Sequence, residues 1–361
     1  MSNGFYQRIL FPLLTLPDAE TSHNSVLKLL SLAQRAPALL RALETLFTVD
    51  DPRLHVSAFG LQFPNPVGLA AGFDKNGIAA QAIAALGFGH VEVGTVTPRP
   101  QPGKPKPRLY RLKPDRALIN RLGFPSQGMA AVASNLQRIA PGSYVLGVNV
   151  GPNAASVESG SGLEDFVAGY RALAPLAAYV TINVSSPNTA GLRAMQQVDL
   201  LEQLLAGLDA GVRTIGRPLL VKIAPDLSDD EVGHMVDVIR RHAVAGIIAT
   251  NTTVERPATL RSPESRESGG LSGAPLSERA TSVVRRVYRL TEGKLPIVGV
   301  GGVAGSREAI DKLEAGASLV QLYTGFIYQG PGVARSINRG ILAHLEKAHL
   351  DSVADLVGSR A

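Results

Sequence analysis

Amide and ammonium side chains recur directly after short apolar segments of this sequence. Asn149, Asn183 and Asn251 hold this position after three such segments, and Lys75 and Lys222 lie at comparable places in two others. A single Asn or Lys at such a place is usually a cap or turn residue, but a recurrent set favours a binding site. Amides and ammonium groups suit a flat ligand that has carbonyl and N–H edges and carries a negative charge.

Several other chemistries lack the residues they need. Few carboxylates and no histidine accompany the amide set, so two-carboxylate hydrolysis and Ser-His-Asp acyl transfer have no partners. The chain contains no cysteine, which excludes disulfides, a thiol nucleophile and cysteine-bound clusters. No two of the seven histidines have the spacing of a helical metal motif, so we expect no metal site.

Eight short apolar segments alternate with helical patterns from about residue 60 onward. They are residues 66–70, 90–96, 144–150, 179–185, 218–224, 246–252, 296–302 and 319–325. This alternation predicts an α/β protein with a parallel sheet, and eight units favour a (β/α)8 TIM barrel over a doubly wound sheet. TIM barrels carry their active sites at the carboxyl ends of the strands, so the amides and lysines are expected to face one cavity.

Glycine-rich segments end the seventh and eighth predicted strands. Residues 299–302 and 323–325 match the phosphate site that barrels build there from backbone N–H groups, which implies a phosphorylated cofactor. Residues 299–304 also read as G-x-G-x-x-A, but Gln321 stands where a dinucleotide site needs an acidic residue. We therefore reject a dinucleotide fingerprint, and the absence of a G-x-x-x-x-G-K-[ST] loop argues against an NTPase.

Two insertions interrupt the β/α pattern. The chain has a net charge of +6, and residues 97–124 hold eight basic residues against one acid, Asp115, so that the remainder sums to about −1. Because the basic excess is confined to one insertion, we expect no nucleic-acid partner. The second insertion, residues 253–275, contains GGLSG and is either a further cofactor contact or a plain surface loop.

Residues 1–50 lie outside the β/α pattern. Apolar residues at helical spacing on both sides of Pro37 predict two short amphipathic helices, an N-terminal extension to a barrel domain of residues 51–361. The charges of four basic and four acidic residues in this extension cancel, so attraction to anionic lipid would not drive membrane binding. The amphipathic pattern alone favours helices that cap the barrel. No signal peptide or membrane-spanning run is predicted.

The ordered motifs resemble those of the membrane-associated, quinone-dependent (class 2) dihydroorotate dehydrogenases over nearly the whole chain. The motifs are AAGFDKNG, VGTVTPRPQPG, RLYRL, INRLGF, TINVSSPNTAGLR, TNTT, GGLSG, GVGG and YTG. The resemblance implies oxidation of (S)-dihydroorotate to orotate in de novo pyrimidine (UMP) biosynthesis. FMN, one per chain, would accept the hydride, and a respiratory quinone would be the final electron acceptor.

Site residues follow from the resemblance by motif. Ser186 is implied as the catalytic base, where class 1 relatives use a cysteine that this chain lacks. The implied substrate contacts are Lys75, for the carboxylate, with Asn120, Arg121, Leu122, Gly123, Phe124, Asn183, Asn188, Asn251 and Thr252. The implied FMN contacts are Ala71, Gly72, Phe73, Asp74, Lys75, Thr95, Asn149, Asn183, Lys222, Thr250, Gly273, Gly302, Tyr323 and Thr324.

The resemblance also assigns the N-terminal helices to membrane docking and quinone access, which shifts the preference away from a simple cap. His23 and Arg111 match positions that are polar and lie near the quinone in this family. Phe73 and Tyr110 differ from the residues of familiar family members within otherwise matching motifs. A peripheral protein on the cytoplasmic side of the cell membrane is implied, with the quinone type and oligomeric state left open. The alternatives are a Schiff-base aldolase that uses Lys222 and a non-catalytic ligand-binding barrel.

Overall fold

A computed structural model of the chain describes residues 4, 6–140 and 142–361. Residues 1–3 and 5 of the predicted extension lie outside the described residues. The strands are β1 (Val56–Ala58), β2 (Leu61–Phe63), β3 (Val67–Leu69), β4 (His90–Val96), β5 (Leu109–Leu112), β6 (Ala117–Asn120), β7 (Val145–Val150), β8 (Tyr179–Asn183), β9 (Leu219–Ile223), β10 (Val244–Ala249), β11 (Gly270–Gly273), β12 (Ile297–Val300) and β13 (Leu319–Leu322).

Eight of these strands close into a parallel barrel. The order around the barrel is β3, β4, β7, β8, β9, β10, β12 and β13, with β13 returning to β3. Each barrel strand coincides with one predicted apolar segment, so the prediction of a (β/α)8 barrel is confirmed. The strands are short apolar runs because both of their faces are covered; all seven residues of β4 are buried.

Helices surround the barrel, and the longer ones among them bury an apolar stripe. In Val198–Ile215 this stripe is Leu201, Leu204, Leu205 and Leu208, at the spacing of one helical face. The α-helices are Phe11–Leu14, Ala19–Ala33, Pro37–Phe47, Ala80–Ala84, Met129–Leu136, Ala154–Glu158, Gly162–Leu173, Val198–Ile215, Asp229–Arg241, Ser277–Leu290, Ser306–Glu314, Thr324–Gln329 and Val333–Ala348.

The two insertions form one structure, which the sequence did not predict. β5 and β6 from the first insertion pair with β11 from the second in an antiparallel sheet, in the order β11-β6-β5. Leu112, Ala117, Ile119 and Leu271 are fully buried as its small core. The interpretation of residues 253–275 as a plain surface loop is therefore wrong for β11, because burial against β6 outweighs the glycine content of the segment.

The N-terminal helices lie against this sheet and the side of the barrel. Asp18 caps Ala19–Ala33 by accepting from the backbone N–H groups of Glu20 and Thr21, and Pro37 begins the next helix. The two predicted helices are therefore present, preceded by the short helix Phe11–Leu14. Within the described residues, no helix combines the length and the apolar composition that a bilayer span requires.

A hairpin of β1 and β2 closes the barrel at the amino ends of its strands. The ring of Phe63 meets His90 edge-on at 5.4 Å between centroids, and Phe59 lies 6.4 Å from Tyr179. His90 is fully buried on β4, and both of its ring nitrogens lack hydrogen-bond partners among the described residues. The ring is therefore held in its neutral form by its surroundings.

His90 should make the folded state sensitive to acid. Burial lowers the pKa of His90 to about 3, whereas an unfolded histidine has a pKa of about 6.5. Only the unfolded state then takes up this proton as the pH falls, so the contribution of His90 to stability is complete above pH 6.5 and declines below it. The loss between pH 6.5 and pH 5 is expected to be about 2 kcal/mol.

Urea unfolding of the wild type and of His90→Leu at both pH values measures this contribution. Leucine does not titrate, so the variant is expected to lose about 2 kcal/mol less than the wild type over this range. Parallel losses in the two proteins would contradict a neutral buried His90.

Candidate active site

One large cavity opens at the carboxyl ends of the barrel strands, beneath the three-stranded sheet. Its empty volume is about 1070 Å³, including its open mouth, a size that suits a bound cofactor together with a small substrate. Most of the residues predicted for substrate and cofactor line it together: Ala71, Gly72, Lys75, Thr95, Asn120, Leu122, Gly123, Phe124, Asn183, Ser186, Asn188, Lys222, Thr250, Asn251, Thr252, Gly273, Gly302, Tyr323 and Thr324.

Four predicted residues lie behind the wall of this cavity. The Asp74 carboxylate accepts from the backbone N–H groups of Ile78 and Ala79, at 3.0 and 2.7 Å. The Phe73 ring packs against Phe326, with 5.1 Å between centroids. The Arg121 guanidinium pairs with Glu267 at 2.6 Å and covers the ring of Tyr110, and Asn149 lies beneath Thr95.

Amide and hydroxyl groups form a connected floor. The Thr95 hydroxyl donates to Asn149 Oδ1 at 2.6 Å and accepts from Asn183 Nδ2 at 3.0 Å. Asn251 Nδ2 donates to Asn183 Oδ1 at 3.1 Å and to Ser185 Oγ at 3.0 Å. These bonds fix the orientation of each amide, so the floor offers a defined pattern of donors and acceptors to a ligand.

A buried carboxylate that the sequence analysis missed anchors this floor from below. Glu92 on β4 is fully buried and accepts from Asn149 Nδ2 at 2.8 Å and from the Tyr179 hydroxyl at 3.1 Å. Gln321 Nε2 donates to the same carboxylate at 3.2 Å. Glu92 lies inside a strand and not at its end, and an acid within an otherwise apolar strand segment is the sequence signal that points to it.

Gly94 allows Thr95 to reach this floor. The register between β4 and β7 shifts between Val93 and Val96. Gly94 has a φ of +106°, and a Cβ there would lie 2.2 Å from the backbone oxygen of Asn149. A side chain at this position would therefore push β4 away from β7 and separate Thr95 from Asn149.

Two lysines supply positive charge to the cavity. Lys222 is 6% exposed, and burial lowers its pKa, while the Glu92 carboxylate opposes that shift. No hydrogen bond joins the Lys222 ammonium to another described residue. Lys75 donates to the backbone oxygen of Gly72 at 2.6 Å, and burial lowers its pKa to about 8. Both groups are therefore available to an anionic ligand.

Ser186 lies on the loop that follows β8 and faces the cavity. It is 5% exposed, and its Oγ accepts from the backbone N–H of Asn188 at 3.3 Å. Asn188 Nδ2 in turn donates to Asn120 Oδ1 on β6 at 2.9 Å. Residues 184–191, called the serine loop below, therefore contact the three-stranded sheet β11-β6-β5 across the cavity, and Ser186 is largely shielded from water.

A second, apolar cavity separates the N-terminal helices from the barrel. It has an empty volume of about 1380 Å³ and shares the wall residues Leu109 and Leu118 with the first cavity. His23 lines it and meets the Phe73 ring at 4.8 Å between centroids; burial, together with the nearby Lys75 ammonium, lowers the pKa of His23 to about 3. Arg111 also lines this cavity.

Arg111 holds the start of the N-terminal helices in place. Its guanidinium donates to the backbone oxygens of Thr15, Pro17 and Asp18, at 3.1, 2.9 and 3.0 Å. It also donates to Ser22 Oγ at 2.6 Å. Arg111 thus joins the basic insertion to the N-terminal helices by directed hydrogen bonds.

A closed α/β barrel with a cavity at the carboxyl ends of its strands places the protein among the TIM-barrel proteins, whose active sites lie at this end. Comparison with known proteins then specifies the family. A family model for dihydroorotate dehydrogenase matches residues 53–345. The chain therefore belongs to the dihydroorotate dehydrogenase family.

Individual relatives match over most of their length. A protein of Chloroflexus aurantiacus named dihydroorotate dehydrogenase (quinone) is 50% identical over 91% of this chain and 92% of its own. A protein of the same name from Rhodospirillum rubrum is 47% identical over 98% of this chain and 94% of its own. The crystal structure of DHODH from Eimeria tenella in complex with ferulenol has a TM-score of 0.86 at 39% identity, covering 95% of this chain and 96% of that one.

Proposed function

We propose that this chain oxidises dihydroorotate to orotate and passes the electrons through FMN to a membrane quinone, as a step of de novo pyrimidine biosynthesis. Family membership supports the reaction. The observation that carries the assignment of residues is that Ser186, Lys75 and Lys222 line one cavity together with the amide floor. The family does not favour the aldolase or the non-catalytic barrel.

The donor set of the cavity fits FMN. The Lys222 ammonium is buried beside the cavity without a hydrogen-bond partner among the described residues, so it can meet an electron-rich ring edge. Gly273, Gly302 and Thr324 line the end of the cavity near β12 and β13, where barrels bind phosphate. When bound, FMN would supply the redox chemistry that links hydride removal from the substrate to quinone reduction.

Ser186 and Lys75 would divide the work on the substrate. The Lys75 ammonium holds the carboxylate, and the amides of Asn120, Asn188 and Asn251 pair with the donor and acceptor edges of the ring. Ser186 Oγ would take the proton from C5 and release its own hydroxyl proton to a water-linked relay, for which Thr189, buried on the same loop, is the candidate, while the C6 hydride passes to FMN. A serine hydroxyl is a weak base, so its buried position, which excludes water, is part of its activation.

The apolar cavity would admit the quinone. It lies on the far side of Phe73, Leu109 and Leu118 from the first cavity, with His23 and Arg111 as its polar groups. Exposed apolar side chains recur along the N-terminal segment that covers this cavity: Ile9, Leu13, Leu16, Leu29, Leu32, Leu39 and Leu46. We therefore propose that residues 1–50 form a membrane-docking unit on the barrel of residues 51–361, peripheral to the cytoplasmic side of the cell membrane.

The absorption spectrum of the gently purified protein tests this function directly. Flavin bands that bleach on anaerobic addition of dihydroorotate and return with a quinone are expected. A colourless protein that forms a borohydride-trapped adduct on Lys222 would instead indicate the aldolase. Ligand affinity without bleaching would indicate a binding barrel.

Substrate capture should depend on the charge of Lys75. Because its pKa is about 8, the ammonium is present below pH 8 and lost above it. We expect kcat/KM for dihydroorotate to fall about tenfold per pH unit above pH 8. Lys75→Arg stays charged throughout, so its kcat/KM should not show this fall. Stopped-flow flavin reduction measures kcat/KM in both proteins. If kcat/KM falls equally above pH 8 in the wild type and in Lys75→Arg, Lys75 is not the partner of the substrate carboxylate.

A further inference from the structure

Arg193 connects the serine loop to the loop after β10. Its Nε donates to the backbone oxygen of Ser185 at 3.1 Å, and its Nη2 donates to the backbone oxygen of Thr252 at 3.0 Å. Arg193 lies in the 3-10 helix Leu192–Gln196, which ends the serine loop. One guanidinium therefore spans two loops that line the cavity from different strands.

Asp226 holds this guanidinium from the loop after β9. Its Oδ2 accepts from Arg193 Nη1 at 2.8 Å and from the backbone N–H of Val254 at 3.1 Å, and its other oxygen accepts from the Thr253 hydroxyl. The side chains of Arg193 and Asp226 are only 25% and 13% exposed. A partly buried pair with this many directed bonds has one preferred geometry rather than many.

The bonds of Arg193 bear directly on the orientation of Ser186. The Ser185 oxygen and the Ser186 nitrogen belong to the same planar peptide unit, so a bond to that oxygen fixes the plane from which Ser186 projects. The Thr252 oxygen belongs to a loop that contributes substrate contacts. Because the fork of a guanidinium is rigid, Arg193 sets the distance between the two loops.

We propose that Arg193, oriented by Asp226, is a positioning residue for Ser186. It touches neither substrate nor cofactor; it holds the serine at the distance from the substrate at which proton removal is fast. The proposal rests on the proposed function, in which Ser186 is the base. An error of about 1 Å in such a distance costs roughly 100-fold in rate.

Stopped-flow reduction of the bound flavin by dihydroorotate, without quinone, tests the role of Arg193. Arg193→Gln is expected to slow reduction about 100-fold and to change orotate affinity less than about threefold. Arg193→Lys, which keeps the charge for Asp226 but loses the fork, should recover part of the rate. Asp226→Asn provides a second route to the same loss if Arg193→Gln does not retain flavin.

Arg241→Gln is the matched control. Arg241 also forms an ion pair between two elements, with Glu202 at 2.6 Å, but it lies on the outer helix Asp229–Arg241. This variant should reduce flavin at the wild-type rate. A loss shared by Arg241→Gln would show that the rate responds to any broken ion pair, and the proposal would fall.

A double-mutant cycle separates positioning of Ser186 from other effects. If Arg193 acts through Ser186, adding Arg193→Gln to Ser186→Ala should slow reduction by less than about threefold more. The proposal would be overturned if Arg193→Gln slowed flavin reduction by the same factor in the wild type and in Ser186→Ala. A wild-type reduction rate in flavin-loaded Arg193→Gln and Asp226→Asn would also overturn it. If Ser186→Ala itself reduces flavin at the wild-type rate, the proposed function fails instead.

Discussion

Replacement of Ser186 by alanine is expected to slow flavin reduction by dihydroorotate about 1000-fold, because the variant lacks the group that removes the C5 proton. Flavin content and orotate affinity should stay close to those of the wild type. The hydroxyl makes one observed bond, from the backbone N–H of Asn188 at 3.3 Å, so its loss leaves the loop intact. Anaerobic stopped-flow absorbance measures the rate, and an orotate titration measures the affinity.

Ser185→Ala is the control for this substitution. Ser185 is equally buried, but its hydroxyl bonds to Asn183 and Asn251 in the floor rather than lining the cavity. Its loss removes two hydrogen bonds of about 1 kcal/mol each, so flavin reduction is expected to slow less than about 30-fold. Equal rates for the two variants would mean that Ser186 is not the base.

Deletion of residues 1–45 is expected to reduce quinone reduction at least 100-fold while flavin reduction changes less than about threefold. The deletion removes most of the apolar wall around the second cavity. Loss of roughly 100 Å² of apolar contact to the quinone corresponds to about 3 kcal/mol, or about 100-fold in affinity. The two half-reactions are measured separately, with vesicle-embedded quinone and with dihydroorotate alone.

A milder variant distinguishes the loss of membrane contact from damage to the wall of the apolar cavity. Leu13, Leu16, Leu32 and Leu39 are 45–80% exposed, and none of them lines the apolar cavity. Their replacement by serine should release the protein from vesicles but leave reduction of a short-chain, water-soluble quinone unchanged. If the deletion instead harms both half-reactions equally, residues 1–50 are a structural cap on the barrel.

Local patterns were sufficient to predict the barrel and most of the cavity wall. Each barrel strand is an apolar run bounded by glycine, proline or polar residues. The barrel strands are arranged around the barrel in the same order in which they follow one another along the chain. In such a fold the end of every strand comes to the same rim, so residue order alone places Asn183, Lys222 and Asn251 near one another.

Long-range pairing was not predictable in the same way. β6 and β11 pair between residues about 150 positions apart, Asn120 with Gly270 and Ala117 with Gly273. Neither segment shows strong strand character by itself, because the pairing partner supplies most of the stabilisation. The sequence therefore shows two separate insertions and not the single sheet that covers the cavity.

The sequence by itself determined the repeating β/α architecture, the set of polar groups at the strand ends and the absence of cysteine, since each of these depends only on residue type and order. Tertiary structure alone decided which polar groups bond to one another. Glu92 anchors the amide floor from inside the barrel, Arg193 joins the loops after β8 and β10, and Arg111 holds the N-terminal helices. Such directed bonds depend on distances and angles between distant segments, which become defined only when the chain is folded.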